Sequence, residues 1–166
     1  MEFSLYEIFW YFVIYAVLGW VVEVCFCSIK TGSFVNRGFL NGPVCPIYGF
    51  GMVAVLVCLW PLRNSMLVLY VGAVVLTSAL ELTTGWALKK LLHTSWWDYS
   101  DMRFNLGGYI CLRFSLLWGV GATLVVKLIH PAIAALVRVV PHTAGVVLEV
   151  LVTALFVCDL VITVLG

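Results

Sequence analysis

With 64% hydrophobic residues, 10% charged residues and a formal net charge of +1 over 166 positions, the chain cannot cover itself with a solvated surface. An ordinary soluble domain is about a quarter charged. Its surface must therefore face lipid, and the near-neutral balance offers no electrostatic pull on nucleic acid.

Crossing a bilayer as a helix takes about 20 apolar residues. Five segments meet or approach that length in chain order: Tyr6–Ile29, Pro46–Leu62, Met66–Leu92, Leu112–Ile129 and Ala144–Leu165. Acidic Glu2 and Glu7 stand where a cleavable signal would carry basic residues, so the first segment is expected to be retained as a span. Pro61 and Arg63 mark a tight turn between the second and third. His130-Pro131 is expected to stop the fourth helix, leaving residues 131–143 as a short interfacial piece before the last span. The fold class is thus all-α: a polytopic integral membrane protein of about five transmembrane helices.

Two polar stretches interrupt the apolar pattern and resemble each other. Arg37-Gly38-Phe39-Leu40-Asn41-Gly42-Pro43-Val44-Cys45 aligns with Arg103-Phe104-Asn105-Leu106-Gly107-Gly108-Tyr109-Ile110-Cys111, sharing Arg, Leu, Gly and Cys in register. The expected organisation is one membrane domain with parallel hairpin repeats over 6–62 and 66–129, followed by the interfacial segment and a C-terminal span over 144–166. Lys30, Arg37, Lys89, Lys90, Arg103 and Arg113 outnumber Arg63, Lys127 and Arg138 on the opposite side. That bias places both stretches and the C-terminus in the cytoplasm and the N-terminus outside.

Acids inside spans are costly and usually face a cavity or a partner. Glu23, Glu81 and Asp159 each lie about 10–12 Å below the cytoplasmic end of a helix, counted at 1.5 Å per residue. Three acids at a common depth on three spans could converge on one cavity, which spacing alone leaves open. Thr77, Ser78, Glu81, Thr84 and Gly85 form a polar stripe on the third span, where the hydroxyls are expected to act as interhelical glue and Glu81 as a functional acid.

In the first stretch, Asn41-Gly42-Pro43 marks a turn, and its carboxamide and backbone N–H groups near a helix start suit an anionic group. Beside the second stretch, Trp96, Trp97 and Tyr99 read as interfacial anchors, while Asp98 and Asp101 either cap a short helix or pair with Arg103. Six cysteines are present without a C-x-x-C pair, so neither a zinc site nor a disulfide framework is expected. Cys45 and Cys111 read as buried structural thiols, with a nucleophile as the alternative if Arg37, Arg103 or His93 lowers the thiol pKa. No G-x-x-x-x-G-K, H-E-x-x-H or G-x-S-x-G motif occurs, so any ATPase is expected on a separate chain.

The run Asn36-Arg37-Gly38-Phe39-Leu40-Asn41-Gly42-Pro43-Val44-Cys45-Pro46-Ile47-Tyr48-Gly49-Phe50-Gly51, then Glu81, Trp96-Trp97-Asp98-Tyr99-Ser100 and Phe104-Asn105-Leu106, resembles the putative ABC-transporter type IV family. The resemblance covers the first four spans. It implies a multipass permease of the bacterial cytoplasmic membrane that works with an ATPase subunit. The chain departs from importer permeases in lacking an E-A-A coupling loop.

The leading expectation is a permease subunit that binds a small polar or amphiphilic ligand from the cytoplasmic side. Its site residues would be Glu23, Arg37, Asn41, Cys45, Glu81, Asp98, Arg103, Asn105 and Cys111. Glu23 and Glu81 would take a cation, proton or amine; Arg37, Asn41, Arg103 and Asn105 would take an anionic or carbonyl portion. No metal or cofactor is expected. The partners would be membrane lipids, a second copy in a homodimer and a separate ATPase. The alternatives are a membrane enzyme acting on a lipid or isoprenoid headgroup and a non-catalytic assembly or regulatory subunit.

Overall fold

A computed structural model describes residues 3–36, 40–91, 93–95 and 97–165. Helix α1 spans Leu5–Thr31, α2 Pro46–Leu59, α3 Met66–Leu91, α4 Leu112–Leu124, α5 His130–Val139 and α6 His142–Leu165. A 3₁₀ turn, Trp60–Leu62, extends α2. Strands β1, Asn105–Leu106, and β2, Ile110–Cys111, form an antiparallel hairpin pairing Asn105 with Cys111 and Leu106 with Ile110. Among the described residues the remaining regular structure is helical, and the chain is an all-α polytopic membrane protein. Four helices are long and apolar enough to cross a bilayer: Leu5–Thr31, Met66–Leu91, Leu112–Val139 and His142–Leu165. Pro46–Leu62 is apolar but shorter.

Local chemistry sets the ends of α1. Ser4 Oγ accepts the Glu7 N–H at 3.2 Å while Glu7 Oε2 accepts the Ser4 N–H at 2.9 Å, a reciprocal cap that satisfies two orphan donors. Gly32 closes the helix at φ 70°, its N–H returning to Ser28 O.

The long helix Leu112–Val139 corrects the stop expected at His130-Pro131. Residues Val125–Ile129 form a π-helical turn, and α5 continues from His130 to Val139. Pro131 lacks an N–H and its ring crowds the carbonyl four residues back. A wider turn just before it opens the ladder where that clash would fall, so the helix passes the proline rather than ending.

The chain divides into two compact units, Met1–Val57 with Ala132–Gly166, and Cys58–Pro131. In the first, small residues allow close approach: a Cβ at Gly49 would stand 2.7 Å from Phe12 O, and one at Gly19 would run into the Tyr48 ring. Between lipid-facing helices such close packing replaces the hydrophobic drive available in water. The 40–45 segment folds onto α1, with Leu40 and Val44 buried against Ala16, and the Cys45 N–H bonded to Ala16 O at 2.9 Å. Helix α6 meets α1 where the Tyr6 ring lies tilted against His142 at 4.8 Å, and Phe12 meets Phe156 edge-on at 6.2 Å.

In the second unit α3 and α4 pack at Gly119, where a Cβ would collide with Val74 and lie 3.2 Å from Tyr70. Leu69 and Ala73 are fully buried. Trp60 packs edge-on against buried His130 at 5.1 Å, and the Arg63 guanidinium lies over the Trp60 ring at 4.4 Å.

Candidate functional site

Each unit sets one half-buried glutamate from a long helix against a tyrosine hydroxyl. On α1, Glu23 Oε1 accepts from Tyr48 OH at 2.5 Å, the tyrosine standing in the first turn of α2. On α3, Glu81 Oε1 accepts from Tyr99 OH at 2.9 Å and more weakly from Trp118 Nε1 at 3.3 Å. Glu81 Oε2 is buried and has no hydrogen-bond partner among the described residues; neither does Ser78 Oγ, one turn earlier. Thr77 instead returns its hydroxyl to Ala73 O at 2.8 Å, within its own helix. Gly85 leaves room for the edges of Trp97 and Tyr109, each 3.2 Å from where a Cβ would stand.

Tyr99 reaches Glu81 from a loop that is knitted internally. Asp98 Oδ1 accepts the Ser100 hydroxyl at 2.5 Å and the Ser100 N–H at 2.9 Å, forming an Asx turn. Asn105 Nδ2 donates to Ser100 O and Met102 O, its Oδ1 accepts the Gly108 N–H, and Gly108 O accepts the Tyr99 N–H. Gly108 has φ 76°, and a Cβ there would come within 2.6 Å of Asp98 Oδ1, so this crossing requires glycine. The Tyr99 ring stacks on Phe114 at 4.9 Å. Trp97 Nε1 donates to Tyr109 O at 2.8 Å.

The Ser100 hydroxyl and then its N–H hold the exposed Asp98 carboxyl below its ordinary range. A carboxyl whose pKa is depressed on folding supports its turn above that range and loses the support as pH falls through the lowered value. The near-ultraviolet circular dichroism from the stacked Tyr99 and Phe114 rings is thus expected to weaken only on strong acidification. A loss near neutrality would contradict this role for Asp98.

The anionic group at Asn41 is the chain's own. Asp159 of α6 accepts the Asn41 N–H on Oδ1 at 3.2 Å and the Gly42 N–H on Oδ2 at 2.8 Å. Asn41 Nδ2 donates to Thr163 Oγ1 at 2.9 Å, and Asn36, held by Trp20 Nε1, donates to Asn41 O at 3.1 Å.

Of the nine expected site residues, Glu23, Asn41 and Cys45 lie in the first unit, and Glu81, Asp98, Arg103, Asn105 and Cys111 in the second. Arg37 lies outside the described residues, as do Gly38, Phe39 and Trp96. Asp98 and Asn105 are engaged in shaping their loop. Arg103 is exposed beside Phe104, which holds φ 57°. Cys45 and Cys111 are buried. Burial first, and the Glu23 carboxyl second, push the Cys45 thiol up to about 11, the opposite of what a thiolate nucleophile needs. Cys111 precedes α4 and contacts Met102 Sδ at 3.8 Å.

Sequence reasoning left out Tyr48, Tyr99 and Trp118, the donors that face the two glutamates. A signal for them existed: a buried acid needs donors, and Tyr and Trp are the apolar-bodied residues that bring one. An open recess of about 500 Å³ runs along Thr83, Thr84, Ala87, Leu88 and Leu91 of α3, and its lining does not include Glu81. Among the described residues no group of His, Cys, Asp and Glu could hold a metal ion.

A family model described as putative ABC-transporter type IV matches residues 10–164. Among curated proteins and solved structures nothing matches the chain.

Proposed function

The chain belongs to the putative ABC-transporter type IV family, and we propose that it is a permease-type membrane subunit whose intramembrane glutamates carry a cationic or protonated group of a small polar or amphiphilic ligand. The observation that carries this reading is the Glu81 carboxyl. It sits within a long apolar helix, is oriented by Tyr99 and Trp118 through one oxygen, and keeps the other buried and open. An acid kept in a membrane segment with an oxygen to spare is a poor structural residue and a good ion or amine acceptor. Glu23 with Tyr48 is the corresponding position in the other unit. The subunit sits in the bacterial cytoplasmic membrane with its polar loops inside, draws energy from an ATPase on a separate chain and works as a homodimer.

The test is flux in proteoliposomes carrying a pH-sensitive dye and offered a panel of labelled amines, from quaternary ammonium to polyamine. Glu81→Gln keeps the shape and the Tyr99 bond but cannot hold positive charge. Flux is expected to fall to the level of protein-free vesicles with the unfolding temperature little changed. Wild-type flux by the variant would remove Glu81 from the mechanism.

A second reading, as an assembly or regulatory subunit, draws on one observation. Phe104 is 80% exposed and non-glycine at φ 57°, beside exposed Arg103 and Leu106, and strain of that kind tends to persist where it serves contact. Affinity capture of a stoichiometric partner that is lost with Arg103→Ala would favour this reading, and capture indifferent to that change would count against it.

A further inference from the structure

A carboxylate within an apolar 24-residue helix is costly unless it is well satisfied. Asp159 is satisfied by backbone: each oxygen takes one N–H, from Asn41 and Gly42, with the Thr163 hydroxyl farther off at 3.5 Å. Paired amides that meet two oxygens of one group are a general anion-recognition device, equally suited to a carboxylate or a phosphate. Gly42 is part of the fit, because a Cβ there would stand 3.0 Å from Asp159 Oδ2.

The cradle is braced mainly by elements other than α6. Val44 N–H bonds back to Gly42 O at 2.8 Å, Asn36 holds Asn41 O, and Cys45 N–H is tied to Ala16 O on α1. Leu40 and Val44 are buried in one cluster with Ala16 of α1. Helix α6 adds one side chain to that cluster, the partly buried Phe156, and is otherwise lightly held, Gly145 being its one buried residue among those described. The amides therefore stay aimed when their occupant changes, and such preorganisation is what makes a binding site.

We infer that the Asn41–Gly42 turn is a binding site for a carboxylate or phosphate group, and that Asp159 fills it as an internal substitute which an anionic ligand displaces. Movement of α6 is then coupled to occupancy of the turn. The inference rests on the ligand reading above but not on Glu81, so failure of the Glu81→Gln flux test leaves it standing and its own failure leaves that test untouched.

Hydrogen exchange read by mass spectrometry on the full-length protein in phosphatidylcholine nanodiscs measures these two amides directly. In Asp159→Ala, peptides covering Asn41 and Gly42 are expected to exchange about tenfold faster or more, the loss of bonds to a charged acceptor. Peptides from the 105–111 hairpin should not change. Added acetate or inorganic phosphate should restore slow exchange in the variant, whereas sodium chloride at equal ionic strength, whose monatomic anion cannot meet the two amides with two oxygens, should not. Phosphatidylglycerol in the disc supplies the lipid arm: restoration by that lipid assigns a headgroup, and restoration by free phosphate assigns a soluble anion. Unchanged exchange in Asp159→Ala, or acceleration that no anion reverses, overturns the inference. If the alanine variant also loosens the hairpin, Asp159→Asn decides. Local, anion-reversible acceleration in that variant upholds the site, and spread or irreversible acceleration overturns it.

Discussion

Gly49→Ala is expected to unfold at a distinctly lower temperature than the wild type, while Gly51→Ala, two residues along the same helix, unfolds at the same temperature or higher. A Cβ at Gly49 would stand 2.7 Å from the Phe12 carbonyl oxygen and 2.7–2.8 Å from two carbons of its ring. The ring can turn aside; the carbonyl cannot move without shifting α1. Overpacking of this kind costs about 1–3 kcal/mol, and fixed backbone on one side puts Gly49 toward the upper end. At Gly51 nothing lies within 4 Å of the added carbon. There the substitution leaves only the helix-propensity gain, up to about 1 kcal/mol. Tryptophan fluorescence during a thermal ramp in detergent reads both variants. Equal stability of the two would mean that α1 and α2 do not cross at Gly49.

The helices were legible because the bilayer demands apolar runs of a fixed length, and long runs announce themselves whatever the tertiary structure. The passage through Pro131 was not. A local rule about proline is correct about the lost N–H and the crowded carbonyl, yet a π-helical turn over Val125–Ile129 absorbs both, and nothing in its Val-Val-Lys-Leu-Ile sequence marks it. The same division holds at the polar loops. Turn chemistry announced the Asn41-Gly42-Pro43 bend and its readiness for an anion. It could not say that the anion present would be Asp159, 118 residues away, because side-chain pairing between distant helices depends on helix rotation. Tyr99 shows the limit most plainly. In sequence it stands among interfacial aromatics, and only the folded Asp98–Gly108 loop turns its hydroxyl onto Glu81.

The energetic sign of Glu81 separates a functional acid from structural glue. Its carboxyl accepts two hydrogen bonds on Oε1, the second of them long, and leaves Oε2 buried without a partner among the described residues. Such a group costs desolvation that its contacts do not repay, and replacing both partners of a hydrogen-bonded pair by apolar groups of the same shape can be nearly neutral or stabilising. The double variant Glu81→Met/Tyr99→Phe removes the acid and its nearer donor together. It is expected to unfold at or a few degrees above the wild-type temperature while its flux in proteoliposomes falls to background. The single variant Tyr99→Phe strips a donor from an acid that remains, and should lower stability by about 1–3 kcal/mol. If Glu81 were retained to hold α3 to its neighbours, the double variant would lose stability at least as much as the single one. Opposite signs for the two variants, with flux lost in the more stable protein, identify an acid kept for what it binds rather than for what it holds together.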